Sequence, residues 1–233
     1  MSQQTPRTIA ALIRHADYQQ RPDTPSAHQP YALTNAGEEQ AAHAAIVVSA
    51  LAEDEQWAID AVIDSSHMLR AWQTARIMAS QLDGVQQVEC FDALAERSVG
   101  AVANLTVAEI AAQVADDPRY ANLPDNWKSD SEFRLPFQGA ESLLQAGTRV
   151  AGHLRKRMQE LADTVTHDTL KLFVAHGASI RHAALELGVL SRDQVAALSM
   201  FHAQPIYLEY LDGSWIHIGG EWKVRRTADT GLD

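Results

Sequence analysis

The stretch Thr8-Ile9-Ala10-Ala11-Leu12-Ile13-Arg14-His15 is a short apolar run that ends in two side chains suited to binding an anion. Two later runs follow the same plan: residues 59–63 end at Asp64-Ser65-Ser66, and residues 170–175 end at His176-Gly177. Short, nearly continuous apolar runs are typical of strands in a sheet covered on both faces. In such sheets, sites form beyond the carboxyl ends of the strands. We therefore expect these three strand ends to build one site.

Helical patterns separate the strands. Thr34 or Asn35 can cap a helix that reaches Leu51, and apolar residues recur at helical spacing from Leu69 to Leu82. Thr106 and Glu109 have capping-box spacing, and residues 141–162, 179–187 and 191–194 contain further helical segments. Residues 205–218 have the pattern of a hairpin. Strand alternating with helix predicts an α/β fold with a largely parallel sheet.

Residues 97–137 interrupt this alternation. Pro118, Pro124 and Pro136 break the segment, and polar residues fill its centre. We interpret it as a helical or irregular insertion that forms a lid over the site of a single domain spanning residues 1–233.

Composition excludes several classes of protein. The chain has 233 residues and a formal net charge of −11, which argues against nucleic-acid binding because that needs a basic face. No apolar run reaches the roughly 20 residues of a membrane helix, and the N-terminus lacks the pattern of a signal peptide. A cytoplasmic protein without membrane contact is the resulting expectation. The single cysteine, Cys90, excludes an internal disulfide and is predicted to be buried.

The chemistry of the strand ends favours phosphate as the anion. Arg14 offers a planar fork of donors for phosphate oxygens, and the neighbouring His15 is a potential nucleophile. Ser65 and Ser66 precede a helix whose first amides favour anions, and Arg70 follows one turn later. His176 adds a second imidazole at the third strand end. Such a cluster of cations and imidazoles would be costly without an anion between them.

These residues also form an ordered set of motifs that resembles the histidine phosphatase superfamily, the phosphoglycerate mutase-like family. The resemblance runs from about residue 8 to residue 220, and six motifs occur in the family's order. They are Arg14-His15, Leu33-Thr34-x-x-Gly37-x-x-Gln40-Ala41, Ser65-Ser66 with Arg70-Ala71-x-x-Thr74-Ala75, Ala95-Glu96-Arg97-x-x-Gly100, Gly139-Ala140-Glu141-Ser142, and His176-Gly177.

The resemblance implies a three-layer α/β/α fold and a role for each matching residue. His15 would be the nucleophile that becomes phosphorylated, and Glu96 would be the proton donor to the leaving oxygen. Arg14, Arg70 and His176 would bind the phosphate, with His176 also counted as catalytic. The resemblance implies no metal or other cofactor, a phosphate ester or inorganic phosphate as ligand, and the possibility of a homodimer.

Two departures from the family pattern lie directly after the nucleophile. Ala16 replaces the usual glycine, and Asp17-Tyr18-Gln19-Gln20-Arg21 replaces a polar segment that commonly ends in a Trp-Asn pair. The usual sugar-phosphate assignment is weaker as a result. We predict that Tyr18, Arg21, Trp127 and Arg134 form substrate-binding walls, with packing or loop anchoring as the alternative role for each.

The most favoured function is hydrolysis of a small phosphorylated metabolite, and the alternatives stay open. Asp117-Pro118-Arg119-Tyr120 is similar to a segment of cofactor-dependent phosphoglycerate mutases, although the family's adjacent arginine pair has no counterpart between residues 105 and 140. The residues Ala228-Asp229-Thr230-Gly231 are faintly similar to a phosphoprotein phosphatase branch. A non-catalytic phospho-ligand binder would generally have lost the nucleophile or a pocket arginine, and both are present here.

Overall fold

The first strand, β1 (Thr8–Arg14), forms the centre of the fold. It is buried along its whole length, and it pairs in parallel with β5 (Thr169–Ala175) and antiparallel with β7 (Pro205–Leu211). Because the two sides of a strand alternate, Ile9, Ala11 and Ile13 pack into one apolar cluster while Ala10 and Leu12 pack into another on the opposite face. The structure is a computed structural model and describes residues 5–225.

Within residues 5–225, seven strands form the main sheet. Besides β1, β5 and β7 they are β2 (Ala58–Ile59), β3 (Val62–Ser65), β4 (Gln87–Cys90) and β8 (Ser214–Gly219). The order of the sheet is β4-β3-β5-β1-β7-β8, and β2 pairs with the beginning of β5. β1, β2, β3, β4 and β5 are parallel, whereas β7 and β8 form an antiparallel hairpin at one edge. A separate two-stranded sheet pairs β6 (Leu198–Ser199) with β9 (Lys223–Val224).

Helices cover both faces of the sheet, which confirms the predicted α/β fold with a largely parallel sheet. The described residues form six α-helices: α1 (Asn35–Asp54), α2 (Leu69–Ala79), α3 (Val107–Ala115), α4 (Leu143–Ala162), α5 (Gly177–Glu186) and α6 (Arg192–Ala197). Helices α1 and α2 supply the cluster on one face, and α4 and α5 supply the cluster on the other. No helix within residues 5–225 is both long and apolar enough to cross a membrane.

Local capping explains where most helices begin. Thr34 accepts a hydrogen bond from the amide of Gly37 at the start of α1, and Thr106 and Glu109 form the predicted capping box of α3. Ser142 and Ser191 form equivalent boxes at α4 and α6. Each box satisfies backbone amides that a helix N-terminus leaves without partners.

Two predictions about the β3 region are wrong. The expected single strand over residues 59–63 is split into β2 and β3, because the Asp60 side chain accepts a hydrogen bond from the amide of Val62 at 2.8 Å and turns the chain. Cys90 is exposed rather than buried. β4 is the outermost strand of the parallel side, so within residues 5–225 no further strand pairs with its outer edge.

The insertion, residues 97–137, contains α3, a 3₁₀ turn at Gly100–Val102 and several irregular turns. A small apolar cluster includes Val99, Ile110 and Trp127 of the insertion, and Ala27 and Ala140 from outside it complete the cluster. A side-chain contact also fixes the insertion to the main body, since Ser131 Oγ lies 3.0 Å from His182 Nε2 on α5.

Candidate active site

His15 lies directly after β1, at the carboxyl end of the sheet, and is 2% exposed. Its Nδ1 lies 2.8 Å from the carbonyl oxygen of Ala16. A carbonyl oxygen can only accept a hydrogen bond, so Nδ1 carries the proton and Nε2 carries the free lone pair. That lone pair faces Arg70, whose Nε donates to Nε2 at 3.1 Å. One backbone carbonyl therefore fixes both the tautomer and the orientation of the ring.

Arg70, on the first turn of α2, is fully buried, and each of its three guanidinium nitrogens is hydrogen-bonded. Besides His15, its guanidinium donates to the carbonyl oxygens of Ser26, Ala27 and Gln29 at 2.8–3.1 Å and lies 3.2 Å from His176 Nδ1. Its hydrogen-bond partners within the described residues are carbonyl oxygens and imidazole nitrogens, with no carboxylate among them. The guanidinium therefore keeps its positive charge in the pocket, and burial lowers its pKa from an ordinarily very high value.

His176 caps α5 and is completely buried beside His15, with the two ring centroids 5.1 Å apart. Its Nδ1 accepts from Arg70, so its Nε2 carries the proton and donates to Ser66 Oγ at 2.9 Å. This network connects the ends of β3 and β5, which are hydrogen-bonded neighbours.

Arg14, the last residue of β1, donates to the carbonyl oxygen of Met200 at 3.1 Å and lies against the beginning of α5. A Cβ at position 177 would lie 3.0 Å from Arg14 Cδ. Glycine at this position therefore avoids a steric clash with the Arg14 side chain. The structure thus brings the four predicted residues Arg14, His15, Arg70 and His176 together at the carboxyl ends of β1, β3 and β5.

Glu96 lies in a narrow cleft at the edge of this cluster and is 5% exposed. It is near enough to Arg70 and Tyr18 for its charge to raise the pKa of both groups. One carboxylate oxygen, Oε1, accepts a hydrogen bond from the amide of Arg97 at 2.8 Å, which orients the carboxyl group. The cleft is lined by Pro25, Ser26, Ala27, Glu96, Arg97, Leu143 and Ala178.

The electrostatics of the cluster keep its histidines neutral. Burial, followed by the nearby charge of Arg70, lowers the pKa of His15 well below its ordinary value, and the same two causes lower the pKa of His176. At neutral pH both rings are therefore uncharged. A neutral imidazole with its lone pair directed into a cationic pocket is the form that can act as a nucleophile.

The four residues predicted as substrate-binding walls occupy different positions. Tyr18 is buried behind the site, with its ring edge against His15 and its face 4.6 Å from the Arg70 guanidinium carbon. Trp127 is buried in the apolar cluster of the insertion. Arg21 is exposed and donates to the carbonyl oxygen of Asn104, and Arg134 is exposed. None of these four described residues lines the cleft beside Glu96, so their role in substrate binding stays a prediction.

Sequence reasoning missed three features of the site. The ring centroid of His202 lies 5.6 Å from that of His15. Residues 25–29 wrap around Arg70 through backbone carbonyls, for which side-chain patterns give no signal. Arg97 lines the cleft with Glu96, and its position next to that carboxylate in the sequence was the available hint. The motif at residues 228–231 lies outside the described part of the chain.

Comparison with solved structures gives the fold. The mycobacterial glucosyl-3-phosphoglycerate phosphatase superimposes with a TM-score of 0.64 at 22% identity, covering 94% of this chain and 97% of that one. The phosphoserine phosphatase of Entamoeba histolytica, solved with 3-phosphoglyceric acid, gives a TM-score of 0.65 at 16% identity and covers 95% and 99%. The chain therefore has the phosphoglycerate mutase-like α/β fold that these structures share.

Sequence comparison gives the family. The profile of the histidine phosphatase superfamily (branch 1) matches residues 10–218, so the chain belongs to that superfamily. It is also 29% identical over 188 residues to the 2,3-bisphosphoglycerate-dependent phosphoglycerate mutase of Parvibaculum lavamentivorans, a match that covers 77% of this chain and 79% of the mutase.

Proposed function

We propose that the protein is a phosphomonoester hydrolase that works through a phosphohistidine on His15. The observation that carries this proposal is the hydrogen bond between His15 Nδ1 and the Ala16 carbonyl, which leaves Nε2 unprotonated beside two arginines. A fixed neutral tautomer and a phosphate pocket are the two requirements for attack of an imidazole on phosphorus.

In the first step the Nε2 lone pair attacks phosphorus in line with the ester bond. The N–P bond forms as the P–O ester bond breaks, and the departing oxygen takes a proton from the carboxyl group of Glu96. Arg14, Arg70 and His176 surround the phosphoryl oxygens, where their charges and dipoles stabilise the transition state. Binding phosphate requires Arg70 to withdraw its Nε donor from His15 Nε2, which frees the lone pair for attack. Arg70 must also exchange some of its present carbonyl partners, Ser26, Ala27 or Gln29, for phosphate oxygens.

In the second step a water molecule hydrolyses the phosphohistidine. The Glu96 carboxylate, now deprotonated, takes a proton from the attacking water. The new P–O bond forms as the N–P bond breaks, and phosphate leaves with His15 back in its neutral form. No step draws on a metal ion, so we propose that turnover continues in a chelator such as EDTA.

Phosphoglycerate mutase activity is the second candidate, because of the 29% identity to the mutase of Parvibaculum lavamentivorans. A mutase must retain a highly anionic bisphosphorylated intermediate, which requires additional cations near the pocket. Among the insertion's cations, Arg97 alone lines the cleft beside Glu96, whereas Arg119 is exposed and paired with Asp117 at 2.6 Å, and Arg134 is exposed. One cation at the cleft, instead of the several that a bisphosphorylated intermediate requires, supports hydrolysis over transfer.

The nucleophile is tested with a generic aryl phosphate assayed in EDTA. We expect hydrolysis by the wild-type protein and a loss of at least about 1,000-fold in kcat for His15→Ala, because the covalent route disappears. His43→Ala, at an exposed position on α1, is the matched control and should retain wild-type activity. Full activity of His15→Ala would refute the proposal.

Trapping the intermediate separates covalent catalysis from direct attack by water. Acid quenching destroys phosphohistidine and alkaline quenching preserves it, so a base-stable, acid-labile label on His15 is the expected result. Measuring phosphate release and phosphoglycerate isomerisation in one reaction distinguishes the two candidates, and isomerisation faster than release would favour the mutase.

A further inference from the structure

Residues 20–31, the Arg70 loop, form a series of turns that lies against the guanidinium of Arg70. A β-bridge between Tyr18 and Leu33 joins the two chain segments that enter and leave this loop. Three backbone carbonyl oxygens of the loop accept hydrogen bonds from Arg70 at 2.8–3.1 Å. Connecting segments run over the surface, where their carbonyl oxygens usually face water. A loop that directs three of them inward therefore needs a fixed backbone conformation.

The side chain of Gln29 lies inside the Arg70 loop and is almost completely buried. Its Oε1 accepts a hydrogen bond from the amide of Arg21 at 2.9 Å, and its Nε2 donates to the carbonyl oxygens of Pro25 at 2.9 Å and Thr24 at 3.3 Å. These partners fix the orientation of the side-chain amide, because a backbone N–H only donates and a carbonyl oxygen only accepts. One side chain thus ties together three backbone groups of the loop.

The segment that binds Arg70 is held at both of its ends by this side chain. Pro25, whose carbonyl oxygen is bound to Gln29 Nε2, directly precedes Ser26 and Ala27. Gln29 itself ends the segment, and its own carbonyl oxygen accepts from Arg70 Nη1 at 3.1 Å. A short segment tied at both ends has few conformations open to it. The Gln29 side chain therefore determines where the inward carbonyls point.

Other contacts hold the outer side of the Arg70 loop against the insertion. Arg21 Nη1 donates to the carbonyl oxygen of Asn104 at 2.8 Å, and the amide of Val107 donates to the carbonyl oxygen of Asp23 at 2.8 Å. These contacts set the position of the loop as a whole. The orientation of its inward carbonyls rests on the hydrogen bonds inside the loop.

We propose that Gln29 is a positioning residue of the phosphate site, whose side-chain amide fixes the Arg70 loop so that its carbonyls aim the Arg70 guanidinium at His15 and at the phosphoryl group. Gln29 acts through Arg70 and does not touch the substrate. Phosphate replaces only some of the carbonyl partners, and the remaining ones keep the guanidinium oriented. This inference rests on the proposed function and adds to it a residue outside the six sequence motifs.

Two variants of Gln29 test the proposal. Gln29→Met has a similar length without the hydrogen bonds, and Gln29→Glu keeps the acceptor while losing both donors. We expect each to lower kcat/KM for an aryl phosphate about 10- to 100-fold, since a displacement of roughly 1 Å in a positioning group has an effect of this size. The dissociation constant of inorganic phosphate should rise by a similar factor.

Gln73→Met is the matched control. Its Oε1 accepts from the amide of Leu33 at 2.9 Å, just beyond the end of the Arg70 loop, and its side chain is half-buried. The control therefore removes a comparable hydrogen bond between a glutamine and the backbone. It should retain the wild-type kcat/KM and the wild-type affinity for phosphate.

The pH dependence distinguishes positioning from a purely structural role. Burial and then the charge of Arg70 lower the pKa of His15, so a guanidinium that moves away lets this pKa rise toward its ordinary value. Catalysis needs neutral His15, and activity is lost as the pH falls through its pKa. The acid limb of the kcat/KM profile should therefore lie at higher pH in Gln29→Met than in the wild type and in Gln73→Met. The titratable groups around His15 are Arg14, Tyr18, Arg70, His176 and His202.

Three outcomes would overturn the inference. They are wild-type activity in both Gln29 variants, wild-type activity in Gln29→Glu alone, and reduced activity with an acid limb that does not move. If the variants fail to fold, hydrogen exchange of the wild-type protein decides. The amide of Arg21, bound to Gln29 Oε1, should then exchange at least about 10-fold more slowly than that of Asp23, an exposed residue of the same loop, and equal rates would refute the proposal.

The phosphate arm separates this inference from the proposed function. Affinity for inorganic phosphate is measured without turnover, so it reports on the placement of Arg70 even if no phosphate ester is hydrolysed through His15. Absent hydrolysis with weaker phosphate binding in Gln29→Met would refute the proposed function and retain the role of Gln29. Hydrolysis with unchanged phosphate binding in that variant would refute the role of Gln29 alone.

Discussion

The contact between α4 and α5 is so close that a single methyl group should separate the helices. A Cβ at Gly147 would lie 2.5 Å from His182 Cβ, 2.6 Å from its carbonyl carbon and 2.8 Å from its carbonyl oxygen. Ordinary van der Waals contact begins at 3.4 Å, so α5 would have to move by the difference of about 0.9 Å. Residues 177–184 of α5 are all buried, which leaves that helix little room to move.

The same helix contains a position with the opposite expectation. Gly152 is exposed on α4, and a Cβ there would meet nothing within 4 Å. Replacing a glycine inside an exposed helical turn by alanine stabilises a protein by about 0.5–1 kcal/mol, because the unfolded chain loses freedom. Gly147→Ala gains that term too, but overpacking against backbone costs about 3 kcal/mol, so the net loss is about 2 kcal/mol.

Denaturant unfolding and thermal scans of both variants measure this difference. For a chain of this size, 1 kcal/mol shifts Tm by about 2–4 °C, so Gly147→Ala should unfold about 4–8 °C lower and Gly152→Ala slightly higher than the wild type. Because α5 begins next to His176, Gly147→Ala should also lower kcat. An unchanged or raised stability of Gly147→Ala would refute the packing argument, as would shifts of equal sign in the two variants.

Two further predictions concern buried charge. Asp64 has no exposed surface, and it accepts hydrogen bonds from His153 and Arg157 at 2.8 Å and from Lys171 at 3.0 Å. Asp64→Asn should therefore lower the free energy of unfolding by about 3–5 kcal/mol, because it leaves buried cations without their anion. Asp83→Asn, at an exposed position, is the control and should change the free energy of unfolding little. Equal denaturation midpoints for the two variants would contradict this. Burial lowers the pKa of His182 to about 4, so the unfolded chain takes up a proton below pH 6.5 that the folded protein does not. As the pH is lowered from 7 to 5, the free energy of unfolding should therefore fall by about 2 kcal/mol because of this residue alone. The His182→Gln variant should lose less stability over the same pH range, and an equal loss in the variant would show that His182 is not the source.

The parts of the fold that are encoded locally were predictable from the sequence. The boundaries of β1 and β5 lie within one residue of the apolar runs that indicated them. Thr34 and the Thr106–Glu109 box mark helix starts because a cap is formed by residues only three positions apart. Strand ends could be combined into one site because parallel strands present their carboxyl ends at one edge.

The parts that depend on distant contacts were not predictable. The carbonyls that wrap Arg70 come from residues about 40 positions earlier, and backbone groups are the same in every sequence. His202 reaches the site because β7 lies beside β1, a pairing that no local pattern reports. Cys90 looked like a core residue because apolar neighbours surround it in the sequence, while its exposure depends on β4 being an edge strand.

Cations in the interior and at its edge belong to two groups with different consequences. The buried Lys171 and the half-buried Arg157 are paired with Asp64, and these ion pairs help to hold α4 against the sheet. Arg70 instead faces carbonyl dipoles, which satisfy its donors without cancelling its charge. A chain of net charge −11 can attract an anionic ester only if such a local positive field survives inside it. The kind of partner therefore distinguishes two roles of a cation in this protein: a carboxylate partner leaves a charge that supports the fold, and carbonyl partners leave a charge that is available to an anion.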